Sequence, residues 1–284
     1  MKRCLGCGGS FEGGWQCPTC NWQPETREGI YCFAPRLQRD AANPTDFAAL
    51  AAVEERHFWF RARNRLILWA LERYFPNCTD ILEVGCGTGY VLAGIRDAFP
   101  QATIRGSELA AEGLKFAAAR LPGVELFQMD AQEIPFRDEF DVVGAFDVLE
   151  HIVDDVRVLD EMRQALRPGG GVIITVPQHS WLWSRADDIA GHVRRYTADE
   201  LAVRLRHAGF SCVLRTSFVS LLLPLMVATR RLHRNEHEPH SREFEIGAVT
   251  NRLLERILDL ECAAIRRGAR FPVGGSLLAV AVRR

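Results

Sequence analysis

Lysine is almost absent from this chain: Lys2 and Lys115 are the only two among 35 basic residues, which stand against 36 acidic ones for a formal net charge of -1. So balanced a chain has no global electrostatic footprint for nucleic acid or an anionic bilayer, which disfavours a polyanionic partner while leaving room for a local patch. The dominance of arginine suits carboxylate or phosphate recognition, and the base composition of the genome explains it equally well. Long apolar runs are missing too. The longest stretch free of both charged residues and histidine, TSFVSLLLPLMVAT at 216–229, contains Pro224 and falls short of the roughly 20 residues of a spanning helix. The first residues, MKRCLGCGGSF, carry two basic side chains but no apolar core of a secretory signal, so a cytoplasmic location is expected. Nine cysteines is an odd number, and in a reducing compartment a full disulfide framework is not expected. What is present, 48% hydrophobic and 25% charged residues over 284 positions, suffices for one large core with an appended module.

Four of the cysteines have a specific explanation. Cys4, Cys7, Cys17 and Cys20 form C-x2-C-x9-C-x2-C, two knuckles whose thiolates can close a tetrahedron around zinc. The segment between them, GGSFEGGWQ, suits a short hairpin too small to have its own core without metal. Four sulfur ligands leave no open position, so a structural zinc ribbon over 1–30 is expected, with reduced thiols or a redox pair as the alternative. Cys32, Cys78, Cys86, Cys212 and Cys262 are isolated and read as ordinary small residues.

Residues 31–45 carry prolines, charges and no sustained period, and read as a linker. Residues 46–75 have helical apolar spacing. From residue 80 short apolar runs alternate with amphipathic segments: DILEV, TIRGSE, VELFQMD, FDVVGAFDV and GGVIITVP are expected strands. SCVLRTSFV and GSLLAVAVRR are expected to close the sheet, separated by a helical insertion or cap over 220–270. Such alternation means an α/β, doubly wound, mostly parallel sheet occupying 46–284.

In an open parallel sheet, ligands sit at the carboxyl ends of the strands near the switch in strand order, and the loop of LEVGCGTGYVL, 82–92, lies at such an end. Aligned to the dinucleotide fingerprint, it would put Tyr90 where helix and strand need a small residue, and no lysine follows for a phosphate loop. A ligand that needs close backbone approach without a pyrophosphate fits better.

With Glu83 followed by Gly85, Cys86, Gly87 and Gly89, the chain resembles the class I S-adenosylmethionine-dependent methyltransferases. The resemblance implies a seven-stranded Rossmann-like sheet and S-adenosylmethionine as methyl donor. It implies that Glu83 and the glycine loop hold the methionine ammonium group. Glu108, with Leu109 behind it, would take the ribose hydroxyls; Asp130 and Ala131 the adenine; and Asp147, Val148 and Leu149 the methionine side. Residue by residue, each acid could equally be a helix cap or a surface charge, but four strand ends in register are far more specific than the glycines alone. Glu83 also ends a strand expected to be buried on both faces, where an acid must find partners.

On the acceptor side, PQHSWLWSRADDIAGHVRRYT, 177–197, gathers tryptophans, histidines, aspartates and arginines at the same sheet edge. Its GHVRRYTADEL portion resembles small-molecule methyltransferases related to those of quinone biosynthesis. His192 and His151 are the candidate general bases, each with a plain surface or core histidine as the alternative. Thr197 with Glu200 reads as a capping box. In EERHFWFRARNRLI, 54–67, Trp59, Phe60 and Arg61 could close over the cofactor, with Arg61 or Arg63 meeting a carboxylate; an amphipathic helix with core aromatics and solvated arginines is the competing reading. SLLLPLMVA followed by TRRLHR reads as a buried segment, or as one lying on a membrane surface beside a lipid-linked acceptor.

The leading expectation is therefore O- or N-methylation of a small molecule or specialised metabolite. A ribbon ahead of such a domain also resembles certain ribosomal RNA guanine methyltransferases, but residues 1–30 balance Lys2, Arg3 and Arg27 against Glu12, Glu25 and Glu28, whereas RNA recognition wants a basic face. A third reading makes the ribbon a docking module for a protein partner on a domain that has lost catalysis.

Overall fold

The computed structural model describes residues 1–37, 46–232 and 246–284. The end of the expected linker and residues 233–245 of the expected insertion, including the end of TRRLHR, lie outside the described residues.

At the N-terminus β1 (Lys2–Arg3) pairs antiparallel with β2 (Ser10–Phe11). A hairpin follows, β3 (Glu25–Arg27) and β4 (Ile30–Cys32), turned by Glu28 and Gly29, both at positive φ as a tight hairpin turn requires. Helices α1 (Phe47–Val53) and α2 (Phe58–Tyr74) precede the alternating part. That part runs β5 (Asp80–Val84), α3 (Tyr90–Ala98), β6 (Thr103–Glu108), α4 (Ala111–Arg120), β7 (Glu125–Gln128), β8 (Phe140–Phe146), α5 (Asp155–Ala165), β9 (Leu166–Pro177), α6 (Arg185–Ala190), α7 (Ala198–His207) and β10 (Phe210–Phe218). Helices α8 (Leu223–Leu232) and α9 (Ala248–Arg266) separate β10 from the last strand, β11 (Ser276–Arg283). Among the described residues no helix is long and apolar enough to cross a membrane.

The strands form one sheet in the order β10-β11-β9-β8-β5-β6-β7-β4-β3. Strands β9, β8, β5, β6 and β7 are parallel, and β11 runs antiparallel between β9 and β10. The chain leaves β5 toward β6 on one side, and β8 lies on the other. The switch in strand order therefore falls between β5 and β8, where a crevice opens at the carboxyl ends. This is the expected doubly wound sheet with a helical insertion before its last strand.

Two apolar layers cover the sheet. On one face α2, α3, α4 and α9 contribute Leu66, Leu92, Leu114 and Leu258. On the other, α5 and α7 contribute Leu159, Met162, Leu201 and Leu205. Trp15 of the ribbon belongs to that second layer, its ring 4.7 Å from Phe33, 5.4 Å from Phe136 and 5.9 Å from Phe127.

The ribbon is thus joined to the domain at its first residues, through Trp15 and through the hairpin that follows. Its first residues pair with the stretch after β7, Arg3 N donating to Pro135 O (2.9 Å) and Arg137 N to Met1 O (2.9 Å). Strand β4 lies across the expected boundary at residue 30 and pairs in parallel with β7, so the hairpin widens the expected seven strands to nine. Just beyond it, Gln128 clamps Ala34, accepting from its amide (3.0 Å) and donating to its carbonyl (2.9 Å). Three-residue strands give no readable period, so this part of the stretch read as linker carried no strand signal.

Candidate active site

Strand β5 ends at Val84, and the chain turns through three left-handed glycines, Gly85 (φ +70°), Gly87 (φ +51°) and Gly89 (φ +77°). At Gly85 a Cβ would stand 2.5 Å from Cγ2 of Val148, so both the backbone conformation and the space require glycine. Gly89 caps α3 and packs against Ala117 and Leu121; it shapes the turn and does not line the cavity. The loop is fastened from outside. Thr88 Oγ1 donates to the buried Glu54 at the end of α1 (2.6 Å), and Arg120 of α4 reaches both Glu54 (2.5 Å) and the Thr88 carbonyl (2.9 Å).

Around this loop the ends of β5 to β8 border a single cavity of about 2120 Å3. Glu83 is buried, opposite Gly106 and Gly144 on the flanking strands, with its Oε2 unpartnered. Burial pushes its carboxyl well above the usual carboxylate range, against the pull of the Arg63 charge. Glu108 accepts from the amides of Gly87 (3.1 Å) and Ala110 (3.0 Å); burial raises it and those amides restrain the rise. Asp130 Oδ1 accepts from the Gln132 amide (2.9 Å), closing a turn beside Ala131. Leu109 and Cys86 also face the cavity.

Asp147 stands at φ +59°, its amide donating to Thr175 O (2.9 Å) and its carboxylate paired with Arg63. The Arg63 guanidinium lies over the Trp59 ring, 4.5 Å from its centroid. Besides Gly89, two residues expected at the cofactor stand away from the cavity. Arg61 turns to Glu255 on α9 (3.2 Å) and does not line the cavity; two residues along a helix is more than half a turn, which puts Arg61 and Arg63 on different faces. Leu149 points into the core, leaving Val148 and Glu150 to face the cavity.

On the far side, ligand atoms of Glu150, His151 and His192 lie within 4.8 Å of one another, a set able to hold a cation or pass a proton. Glu150 is fully buried and neither carboxylate oxygen has a hydrogen-bond partner; burial first, then the Asp147 charge, holds it well above the usual range. Burial, aided by the nearby His192, pushes His151 down to about 4, so it is neutral at pH 7.

One residue not singled out in the sequence organises this side. Asp187 is buried and accepts from His192 Nδ1 (2.8 Å), Arg195 Nε (2.7 Å) and Ser184 N (2.8 Å). Burial alone would raise its carboxyl, but the bonds from His192 and Arg195 outweigh that and hold it well below the usual range. The signal that could have found it is the capping pattern Ser184-x-x-Asp187, five residues ahead of His192. The rest of GHVRRYT is tied to Asp155, which accepts from Tyr196 (2.6 Å), Arg194 (2.9 Å) and Arg204 (2.8 Å). Thr197 and Glu200 form the expected capping box.

Comparison with known proteins identifies the family and the fold. A family model described as a methyltransferase domain matches residues 51–214. A probable S-adenosylmethionine-dependent methyltransferase of Mycobacterium tuberculosis is 33% identical over 159 residues, covering 54% of this chain and 56% of that protein. A trans-aconitate 2-methyltransferase of Azoarcus is 27% identical over 183 residues, 64% of each chain. Among solved structures, phosphoethanolamine N-methyltransferase 2 of Haemonchus contortus in complex with S-adenosyl-L-methionine shares the fold, with a TM-score of 0.57 at 20% identity, over 91% of this chain and 61% of that one. The chain belongs to the methyltransferase domain family, within the class I S-adenosylmethionine-dependent methyltransferases. It spans between half and two thirds of the length of these curated relatives.

Glu150 makes a test of the site's electrostatics. An acid whose folded value is raised holds its proton where the unfolded chain has lost it. Its contribution to stability therefore falls as pH rises from the ordinary 4.5 toward the raised value. Glu150→Gln removes that loss, and thermal unfolding of the ligand-free protein should show Tm higher by roughly 2–4 °C at pH 8 and little changed near pH 4.5. A lower Tm at pH 8 would mean that the ionised carboxylate is a stabilising partner.

Proposed function

We propose that this protein transfers a methyl group from S-adenosylmethionine to a small-molecule acceptor. The observation that carries the reading is the convergence of four strand ends on one cavity. The glycine turn there has no room for a Cβ at Gly85, and an unpartnered buried carboxylate, Glu83, waits beside it. A cationic ammonium group is the partner that such an acid lacks. When bound, S-adenosylmethionine supplies an electrophilic methyl group on sulfur. Glu83 and the amides around Gly85 to Gly87 would hold its methionine end, Glu108 its ribose, Asp130 and Ala131 its adenine, and Trp59, Asp147 and Val148 its flank.

His192 would take the acceptor's proton. Asp187 engages Nδ1 and leaves Nε2 as the basic nitrogen. His151, neutral, sits against it with ring centroids 4.8 Å apart.

RNA as acceptor gains no support from the ribbon, whose three basic side chains are occupied within the chain. Arg3 pairs with Glu161 (3.2 Å), Lys2 lies 4.2 Å from the centre of the Trp15 ring, and Arg27 pairs with Glu25 (2.7 Å). For the ribbon itself we propose a structural zinc ion on Cys4, Cys7, Cys17 and Cys20, supported by sulfur atoms that all lie within 4.8 Å of one another.

Glu108→Ala should weaken S-adenosylmethionine binding, measured by calorimetry, by roughly tenfold or more, the loss of charge-assisted hydrogen bonds; unchanged affinity would show the ribose site to be elsewhere. Metal analysis should find about one zinc per chain, and chelation should lower Tm of the whole domain because Trp15 is part of its core. A metal-free preparation with the same Tm would refute the zinc assignment.

A further inference from the structure

The size and lining of the cavity point to an acceptor with a long hydrocarbon tail, which we propose is held between α8 and the loop before α6 while its polar end faces His192. This deepens the methyltransferase reading and rests on it.

The cavity of about 2120 Å3 includes the methyl-donor site, and after a drug-sized ligand has taken a pocket of up to about 1,000 Å3 it still leaves space beyond the glycine loop. Beyond the glycine loop its wall turns apolar: Leu182, Ile189, Leu222, Leu225, Met226 and Leu254 line it. Glu150, His151, His192 and Arg195 gather where methyl transfer would occur, while Arg230 of α8 is engaged on the Leu182 carbonyl across the apolar part. One polar end and one apolar extension describe an amphiphile.

The mouth supports the same conclusion. Trp181 is 59% exposed, Leu225 48% and Val153 76%, although all three border the cavity. Solvent-facing apolar side chains scattered singly need no explanation, but a group of them on the rim of a single cavity marks a binding surface. Trp183, also on the rim, satisfies its indole N–H on Asp188 (2.9 Å), which leaves the ring as an apolar surface with a wet edge. Met226 is a flexible wall residue able to fit chains of different shape, and a Cβ at Gly275 would stand 2.9 Å from its methyl carbon. The stretch SLLLPLMVA, read from sequence as buried or membrane-lying, thus forms part of a cavity wall.

The tail could come from a free amphiphile or from a lipid in a bilayer, since one hydrocarbon chemistry serves both. The test uses the full chain loaded with zinc and saturated with S-adenosylhomocysteine, titrated with dansyl-labelled undecanoic acid. Saturable fluorescence enhancement is expected, displaced by unlabelled fatty acids that gain about threefold to fourfold in affinity per methylene. Leu225→Asp and Trp181→Ser, at exposed positions that folding tolerates, should each weaken the probe roughly tenfold and leave S-adenosylhomocysteine affinity unchanged. Absent probe binding, or probe binding indifferent to chain length and to both substitutions, in protein that still binds S-adenosylhomocysteine would overturn the tail site. Loss of S-adenosylhomocysteine binding in the unmodified protein would instead overturn the methyl-donor reading beneath it. Sedimentation with phosphatidylcholine vesicles then separates the sources: with the probe bound, pelleting supports a bilayer lipid, and its absence a soluble amphiphile.

Discussion

The constraint on which the site depends is a carboxylate that the fold buries without satisfying. Glu83 sits in the central strand between Gly106 and Gly144, so neither neighbour offers it a side-chain donor. Its Oε2 has no hydrogen-bond partner. Such a group is costly unless neutral or paired with a cation. The surrounding structure tolerates it because the sheet is covered on both faces and the loop beyond it is fastened by Glu54, Thr88 and Arg120. The strand end is therefore held in readiness for a positive charge, and the left-handed glycines beside it let a ligand backbone come close.

On the acceptor side Glu150 is left unpartnered in the same way, but the two aspartates behind it are fully engaged. Asp187 and Asp155 are buried acids with every neighbour donating to them, and between them they anchor His192, Arg194, Arg195 and Tyr196. That network fixes the position of the His192 ring relative to the strand ends. Polar anchoring thus borders the cavity on one side and the apolar residues of α8 on the other.

Much of the fold was legible because apolar runs with a parallel-sheet pattern recur from residue 80 onward, and the glycine loop could be tested against the lysine and small-residue requirements of its competitors. The acids at strand ends were legible one by one, and the structure brings Glu83, Glu108, Asp130 and Asp147 to one cavity. What escaped has physical reasons. The β3–β4 hairpin is too short to show a period. Helix α2 offered several arginines, and only its rotation about the axis, set by packing on α9, decides that Arg63 and not Arg61 faces Asp147. Leu149 matches the family's motif, yet a 3-10 turn points it into the core, and Gly89 serves as the cap of α3. Asp187 was signalled only by the cap it makes with Ser184, a pattern that does not announce its bonds to His192 and Arg195.

The central claim, that this glycine turn cradles S-adenosylmethionine, is tested most directly by calorimetric titration of the zinc-loaded chain beside its Gly85→Ala variant. One site per chain in the unmodified protein, with binding lost in a variant whose circular dichroism is unchanged, is the predicted result. No heat from correctly folded unmodified protein, or full affinity in the variant, would contradict it.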